Sequence, residues 1–211
     1  MARVYLVRHG QTAWNREQIF RGRADLPLSD LGRAQAGAVG AYLAGRGITA
    51  LFSSPMLRAR QTAEPLAKRT GLAIQDAPGL IDADFGRWQG LTTPQVARRF
   101  PDLFRQWQAE PARVAFPGGE SYRAVTRRAV REFRRLAAEA LDATIAVVAH
   151  RFVNKVVLAA LLGVRANGFW KIKQDTACLN LLAVDGESVV VESLNFTAHL
   201  DRLRVGREID F

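Results

Sequence analysis

The stretch VYLVRHGQTAWN, residues 4–15, begins as a buried strand and then changes character abruptly. Residues 4–7 are apolar and β-prone, and Arg8, His9 and Gly10 follow them directly. A strand that leaves a hydrophobic core usually ends in turn residues, so an arginine and a histidine at this point need another explanation. The rest of the sequence has to supply it.

The length and composition fit one α/β domain. The chain has 211 residues, enough to bury a large core, and we expect a single domain over residues 1–211. It contains no apolar run long enough to cross a bilayer, and its N-terminus lacks the pattern of a signal peptide. We therefore expect a cytoplasmic protein without a membrane partner.

Metal ligands are scarce in the sequence. Cys178 is the only cysteine and lies in an apolar run, and the three histidines are His9, His150 and His199. Zinc cages use clustered cysteines and histidines, and calcium loops use clustered carboxylates, and neither pattern is present. We expect no bound metal and no cofactor.

The formal net charge is +10, and a basic surface attracts nucleic acid through its phosphates. The arginines are nevertheless spread along the whole chain, without a basic run or an aromatic-rich binding motif. The pattern favours a protein that does not bind nucleic acid.

Hydrophobic periodicity predicts alternating strands and helices, with Ser29 as the N-cap of the first helix. A continuous apolar strand such as 144–149 is typical of a sheet that is covered on both faces. We therefore expect an α/β fold, a three-layer αβα sandwich with a mostly parallel central sheet and a cap-like excursion at about 82–120. The predicted strands are 4–7, 48–52, 71–75, 144–149, 179–184 and 188–194, and the predicted helices are 31–44, 58–69, 94–108, 122–141 and 152–162.

The predicted helix 122–141 carries a row of arginines that alternate with apolar residues. This alternation is typical of a helix with one face in the core and the other in water. We interpret the arginines as a solvated face, consisting of Arg127, Arg128, Arg131, Arg134 and Arg135.

Two of the three histidines, His9 and His150, stand at the ends of two of the most apolar predicted strands. In open α/β sheets, ligands bind beyond the carboxyl ends of the strands. We therefore expect the two histidines to face each other there. Histidine is a nucleophile toward phosphorus, and a second imidazolium together with arginines can bind phosphoryl oxygens.

Arg8 and Arg58 are the arginines placed to reach the same crevice. Arg58 lies where a helix begins after the strand 48–52, so its side chain can turn back over the strand ends. Arg60 would point elsewhere, and we interpret it as a surface residue. Because the planar guanidinium group matches phosphate geometry, Arg8 and Arg58 indicate a phosphate site.

Five blocks of the sequence resemble the histidine phosphatase superfamily, whose fold is phosphoglycerate-mutase-like. The resemblance spans nearly the whole chain, and the blocks occur in the family's order. They are RHG (8–10), DLPLSDLG (25–32), SSPMLRARQTA (53–63), PGGES (117–121) and VVAH (147–150).

The resemblance implies a role for each matching residue. His9 is identified as the nucleophile, phosphorylated on Nε2, and no metal is required. The implied catalytic residues are His9, Asp82, His150, Arg8 and Arg58. The implied phosphate-binding residues are Arg8, Asn15, Arg21, Gly22, Arg58 and His150.

The general acid of the family is usually a glutamate, whereas the matching block here, LIDADFG (80–86), contains two aspartates. Asp82 keeps the family's spacing to Gly86, so we assign it the acid role, with Asp84 as the alternative. An aspartate with an ordinary pKa of about 3.9 is a poor acid at pH 7. We therefore expect burial or a nearby charge to raise the pKa of Asp82.

The chain most resembles the branch that holds α-ribazole phosphatases, broad-specificity phosphatases and metal-independent phosphoserine phosphatases. This implies a metal-independent phosphomonoesterase acting on a small phosphorylated metabolite. The alternatives are a mutase-type isomerase, which would carry an added segment over the site, and a non-catalytic phosphate-binding module, which the aspartate at 82 would fit. His199 can either contact substrate or pack, and a homodimer stays open.

Overall fold

The computed structural model describes residues 1–164 and 166–203, and a six-stranded sheet lies at its centre. The strands are β1 (Ala2–Arg8), β2 (Ile48–Ser53), β3 (Ile74–Asp76), β4 (Thr144–Ala149), β5 (Leu179–Asp185) and β6 (Ser188–Phe196). They lie in the order β3-β2-β4-β1-β5-β6, with β1 to β4 in parallel pairs and β5 and β6 in antiparallel ones. The expected mostly parallel sheet is confirmed.

Helices cover both faces of the sheet, because the central strands bury side chains on both sides. On β1, Val4 and Leu6 belong to one hydrophobic cluster, and Tyr5 and Val7 belong to the other. The helices are α1 (Ala13–Arg16), α2 (Asp30–Ala44), α3 (Leu57–Thr70), α4 (Thr93–Arg99), α5 (Pro101–Ala109), α6 (Tyr122–Glu139) and α7 (Arg151–Leu161). The first cluster contains the buried faces of α6 and α7, and the second contains those of α2 and α3.

Two predicted elements differ most from those in the structure, whereas the bounds of the others agree within two residues. Gly71 caps α3 in the left-handed region, at φ 75°, so β3 begins at Ile74 instead of residue 71. The predicted helix 94–108 is divided into α4 and α5, because Phe100 precedes Pro101 and takes a non-helical backbone, at φ −136° and ψ 57°.

The excursion at 82–120 packs its aromatic residues on the helix layer of α6 and α7. Trp107 stacks on Phe152 of α7, with ring centroids 5.7 Å apart and an interplanar angle of 12°. Phe116 contacts both rings edge-on or nearly so. Since α7 begins where β4 ends, this packing builds an apolar wall beside the carboxyl ends of the strands.

The interpretation of the α6 arginines as one solvated face is wrong for Arg128. Its side chain is only 16% exposed and pairs with Glu120, whereas Arg127 and Arg131 are exposed. Periodicity places a residue on one side of a helix but does not reveal a loop that covers part of that side. The loop here carries residues 79–86, and its contacts are described below.

The described residues contain no helix that is long and apolar enough to cross a membrane. Within the same part of the chain, no group of three or more histidine, cysteine, aspartate or glutamate side chains is placed to hold a metal ion. Cys178 is buried in the core, as its apolar neighbours predicted.

Candidate active site

The sheet brings His9 and His150 together at the carboxyl ends of two paired strands. His9 follows β1 and His150 follows β4, and the two strands are parallel neighbours in register. Both side chains are fully buried, and their ring centroids lie 5.3 Å apart at an interplanar angle of 58°. The juxtaposition expected from the strand ends is present in the structure.

The hydrogen bonds of His9 leave one ring nitrogen available. Its Nδ1 lies 2.7 Å from the carbonyl oxygen of Gly10, which can only accept, so Nδ1 carries the proton. Nε2 is buried and has no hydrogen-bond partner among the described residues. Burial first, and then the charges of Arg58 and Arg8, lower the pKa of His9 well below its usual value. His9 is therefore neutral near pH 7, with a lone pair on Nε2.

Arg58 is fully buried and is fixed by backbone carbonyls from the loop after α1. It donates to the carbonyl oxygens of Ala24 and Gly22, both at 2.8 Å, and to Oδ2 of Asp82 at 2.8 Å. Gly22 therefore contributes to the site through its carbonyl group. Arg60 pairs with Asp76 at the surface, as the sequence predicted.

Arg8 and Arg21 add two further cations near His9. Arg8 is buried and donates to the carbonyl oxygen of Gln174, and Arg21 lines the cavity described below. Burial, followed by the positive charges of Arg8 and Arg151, lowers the pKa of Arg21. Cations crowded in this way are stabilised by an anion, so the cluster is suited to a negatively charged ligand.

Several buried polar atoms around His9 lack a hydrogen-bond partner within residues 1–164 and 166–203. Buried donors and acceptors are normally satisfied, so orphaned ones converging on one place indicate a ligand site. A phosphoryl group offers charged acceptor oxygens that suit arginine donors. The atoms are Nε2 of His9, Nδ1 of His150, Nε of Arg21 and Nε of Arg58.

Asp82, rather than Asp84, lies against the buried cations. Its Oδ2 is 2.8 Å from Arg58 and 3.6 Å from Nδ1 of His150, and its Oδ1 accepts from the backbone N–H of Ala83. Asp84 instead accepts from the backbone of Gly86, with its side chain 33% exposed. Only Asp82 contributes to the wall of the cavity.

The expectation of a raised pKa for Asp82 is wrong in this arrangement. Burial does raise the pKa, but the charges of Arg58 and Arg21 and the adjacent imidazole of His150 lower it by more, so the pKa lies below its ordinary value. Asp82 is therefore ionised near pH 7 while no other anion offsets the cations.

The protonation state of His150 also differs from the expectation, which was a positively charged imidazolium. Burial lowers its pKa to about 3, against the opposing effect of Asp82, so the ring is neutral near pH 7. Its Nε2 lies 2.7 Å from Oγ of Ser54, a residue for which the sequence suggested no role. The SSP block at 53–55 was the available signal, because it follows β2 at the same edge of the sheet.

Asn15 lies in the wall of the cavity described below, whereas His199 does not. Asn15 lines the cavity, and its Oδ1 accepts from the backbone N–H and the hydroxyl of Thr12, which leaves the amide N–H groups as its donors. His199 bonds the carbonyl oxygen of Ala177 and stacks on Phe196, away from the cavity. Of the two roles considered for His199, the structure supports packing.

A cavity of about 670 Å³ opens next to this cluster, which is far more than a phosphoryl group fills. One side is charged or polar and includes Arg8, Asn15, Arg21 and Asp82. The other side is the apolar wall, which the sequence did not assign to the site. It contains Phe20, Phe85, Phe104, Trp107, Phe152 and Trp170.

Comparison with known proteins gives the family. The family described as histidine phosphatase superfamily (branch 1) matches residues 4–197. Phosphoserine phosphatase 1 of Hydrogenobacter thermophilus is 31% identical over 205 residues, covering 97% of this chain and 97% of that protein. The adenosylcobalamin/alpha-ribazole phosphatase of Escherichia coli is 26% identical over 93% of this chain and 97% of that protein.

A solved structure shows the same fold. Bacillus stearothermophilus YhfR aligns with a TM-score of 0.90 at 26% identity, over 95% of this chain and 100% of that one. The match therefore includes nearly the whole of both chains. The chain belongs to the histidine phosphatase superfamily and has its phosphoglycerate-mutase-like fold.

Proposed function

We propose that this chain hydrolyses phosphate monoesters of small metabolites through a phosphohistidine on His9, without a metal ion. The observation that carries the proposal is the unprotonated, buried Nε2 of His9 inside a cluster of arginines. Family membership and the phosphatase activity named for the relatives support the same reaction. The acid, the intermediate and the substrate class are the parts that need testing.

The first step transfers the phosphoryl group to His9. The lone pair on Nε2 attacks phosphorus in line with the ester oxygen, so that a P–N bond forms as the P–O bond breaks. Arg8, Arg21 and Arg58 bind the nonreacting oxygens and stabilise the charge that spreads over them in the transition state. This is charge that a metal ion would otherwise neutralise.

Asp82 supplies the proton that the leaving oxygen takes up. The carboxyl is ionised in the cluster of cations described above, but a dianionic phosphate offsets Arg58 and Arg21 and so weakens the effect that holds its pKa low. The pKa of Asp82 therefore rises when the substrate binds, and the carboxylate takes up a proton from solvent, which it then donates to the leaving oxygen. The same negative charge raises the pKa of His150.

The second step restores the enzyme. Asp82, which lost its proton to the alcohol, takes a proton from a water molecule as that water attacks phosphorus. A P–O bond forms, the P–N bond breaks, and inorganic phosphate leaves. His9 returns to the neutral form with Nδ1–H still bound to the Gly10 carbonyl.

The shape of the cavity favours a leaving group with an apolar ring. Phe104, Trp107 and Trp170 line one side of a space of about 670 Å³, which a serine side chain would leave mostly unfilled. Gln18 and Gln108 add hydrogen-bonding groups to the same cavity. We therefore expect larger, ring-bearing phosphate esters to be better substrates than phosphoserine.

The test is phosphate release from a panel of esters in the presence of EDTA. The panel contains p-nitrophenyl phosphate, phosphoserine, 3-phosphoglycerate and α-ribazole phosphate, and the variants are His9→Ala and His199→Ala. We expect release by the wild type and by His199→Ala, which lies outside the cavity, and none by His9→Ala. A rapid quench into alkali should trap base-stable phosphohistidine in the wild type.

Three other outcomes would contradict the proposal. Isomerisation of 3-phosphoglycerate without net phosphate release would favour the mutase. Phosphate binding without turnover of any ester would favour the non-catalytic module. Release that persists in His9→Ala would exclude His9 as the nucleophile.

A further inference from the structure

Arg128 of α6 binds the loop that carries Asp82, although it lies outside the cavity. Its guanidinium donates to the carbonyl oxygens of Gly79 at 2.9 Å, Ile81 at 2.6 Å and Asp82 at 3.0 Å. Three acceptors from one short segment meet one planar group, so the guanidinium fixes their relative positions. Arg128 therefore holds the backbone of Asp82, which bears the carboxylate, and that of Ile81 directly before it.

Glu120, of the PGGES block, holds Arg128 and the far side of the same loop. Its two carboxylate oxygens accept from Nε and from a terminal nitrogen of Arg128, each at 2.8 Å. Its Oε2 also accepts from the backbone N–H of Asp84 at 3.0 Å, and its own backbone N–H donates to the Asp84 carbonyl at 2.9 Å. The segment that carries Asp82 is therefore bound on both sides.

Close backbone contacts further restrict the loop that carries Asp82. A Cβ on Gly86 would lie 2.2 Å from the carbonyl oxygen of Pro117, and a Cβ on Gly119 would lie 2.3 Å from that of Asp84. Both contacts are with backbone atoms, which cannot move aside without shifting the loop. The two glycines allow the PGG turn and residues 84–86 to touch directly.

We propose that Arg128, held by Glu120, is a positioning residue for proton transfer by Asp82, and this rests on the proposed function. Neither side chain lines the cavity, so neither touches substrate. Both are largely buried, with 16% and 20% of the side chains exposed, unlike ordinary surface ion pairs. The side chain of Asp82 is one methylene shorter than the glutamate usual in the family, so the position of its carboxylate depends more closely on the backbone. Arg128 and Glu120 fix the position of that backbone.

The test uses leaving groups that differ in their need for a proton. Nitrophenolate leaves without protonation, whereas the phenolate of phenyl phosphate benefits from the acid. The measured quantity is kcat/KM, which reports the phosphorylation step and excludes the later hydrolysis of the phosphoenzyme. The variants are Arg128→Lys, which keeps the charge but loses the planar fork, and Glu120→Gln.

We expect each variant to lower kcat/KM about tenfold or more for phenyl phosphate and by less than about threefold for p-nitrophenyl phosphate. Arg131→Lys is the matched control, since Arg131 is exposed on the same helix, and it should change neither value. In the background Asp82→Asn, Arg128→Lys should have little further effect, because the acid it positions is already absent.

A purely structural role would give a different pattern. Equal losses on both esters, or no loss on either, in Arg128→Lys and Glu120→Gln would overturn the inference while leaving the wild-type phosphatase intact. Additive losses in the double variant with Asp82→Asn would overturn it as well. Failure of the proposed function itself would instead appear as hydrolysis that persists in His9→Ala, or as no hydrolysis of either ester by the wild type.

Discussion

At the scale of single residues, burial and charge act on Asp82 in opposite directions. Desolvation favours its neutral form, and the nearby cations favour its ionised form and dominate. A bound phosphate dianion would offset part of the effect of the cations. Under the proposed mechanism, Asp82 therefore becomes protonated only when the substrate is bound.

Replacing Asp82 tests this assignment directly. We expect Asp82→Asn to lower kcat/KM for phenyl phosphate by about 10²- to 10⁴-fold, because the amide cannot donate an acidic proton. Asp84→Asn is the matched control, since its carboxylate faces the Gly86 backbone and should change kcat/KM little. If Asp84→Asn gave the larger loss, the acid role would belong to Asp84.

The low pKa of His9 predicts the acid side of the pH profile. A histidine with an ordinary pKa would become protonated near pH 6.5 and stop acting as a nucleophile. Burial and the nearby charges keep His9 neutral well below that value. With p-nitrophenyl phosphate, kcat/KM should therefore not fall between pH 7 and pH 5, after correction for ionisation of the ester. A loss with a midpoint near 6.5 would contradict the prediction.

At the scale of elements, α5 contributes Phe104 and Trp107 to the cavity that is proposed to bind the leaving group. Phe104 lies on α5 and is only half-buried, so its removal leaves the core largely intact. We expect Phe104→Ala to raise KM about tenfold for α-ribazole phosphate, which loses apolar contact, and to leave KM for phosphoserine nearly unchanged. Exposed Arg105→Ala, the next residue on α5, is the control. An equal change for both substrates would place the selection elsewhere.

The sequence predicted the elements that position the site better than the interactions inside it. Strand ends converge in parallel sheets whatever their sequence, so His9 and His150 could be placed together from the apolar runs alone. The break between α4 and α5 was missed, although Pro101 inside the predicted helix 94–108 was a signal for it. The role of Arg128 could not be predicted, since periodicity carries no information about a loop that folds over a helix.

The same limit applies to the charge states. The pKa of Asp82 depends on Arg58 and Arg21, which the fold brings to it from earlier in the chain. Motif spacing identified all three residues. It could not decide whether burial, which raises the pKa of Asp82, or the two arginine charges, which lower it, would have the larger effect. That balance depends on distances of a few ångströms, which sequence does not specify.

At the scale of the whole molecule, the two buried histidines lower the stability in acid. The unfolded chain takes up protons on His9 and His150 near pH 6.5, whereas burial keeps both neutral in the folded protein. Between pH 6.5 and the folded pKa, the unfolded state holds more protons, so the free energy of unfolding falls as pH falls. His150, with its pKa of about 3, should contribute about 2 kcal/mol of this loss between pH 6.5 and pH 5.

Urea unfolding at pH 7 and at pH 5 measures this loss. We expect the wild type to be less stable at pH 5 and His150→Gln to show a smaller difference between the two pH values, because it has lost one of the two titrating groups. Asp82 does not contribute in this range, since its pKa lies below the ordinary value of an aspartate and it stays ionised in both states. Equal pH dependence in the wild type and in His150→Gln would mean that the folded protein tolerates a charged His150. The cluster at the strand ends would then be open enough to water to hold the imidazolium that the sequence first suggested.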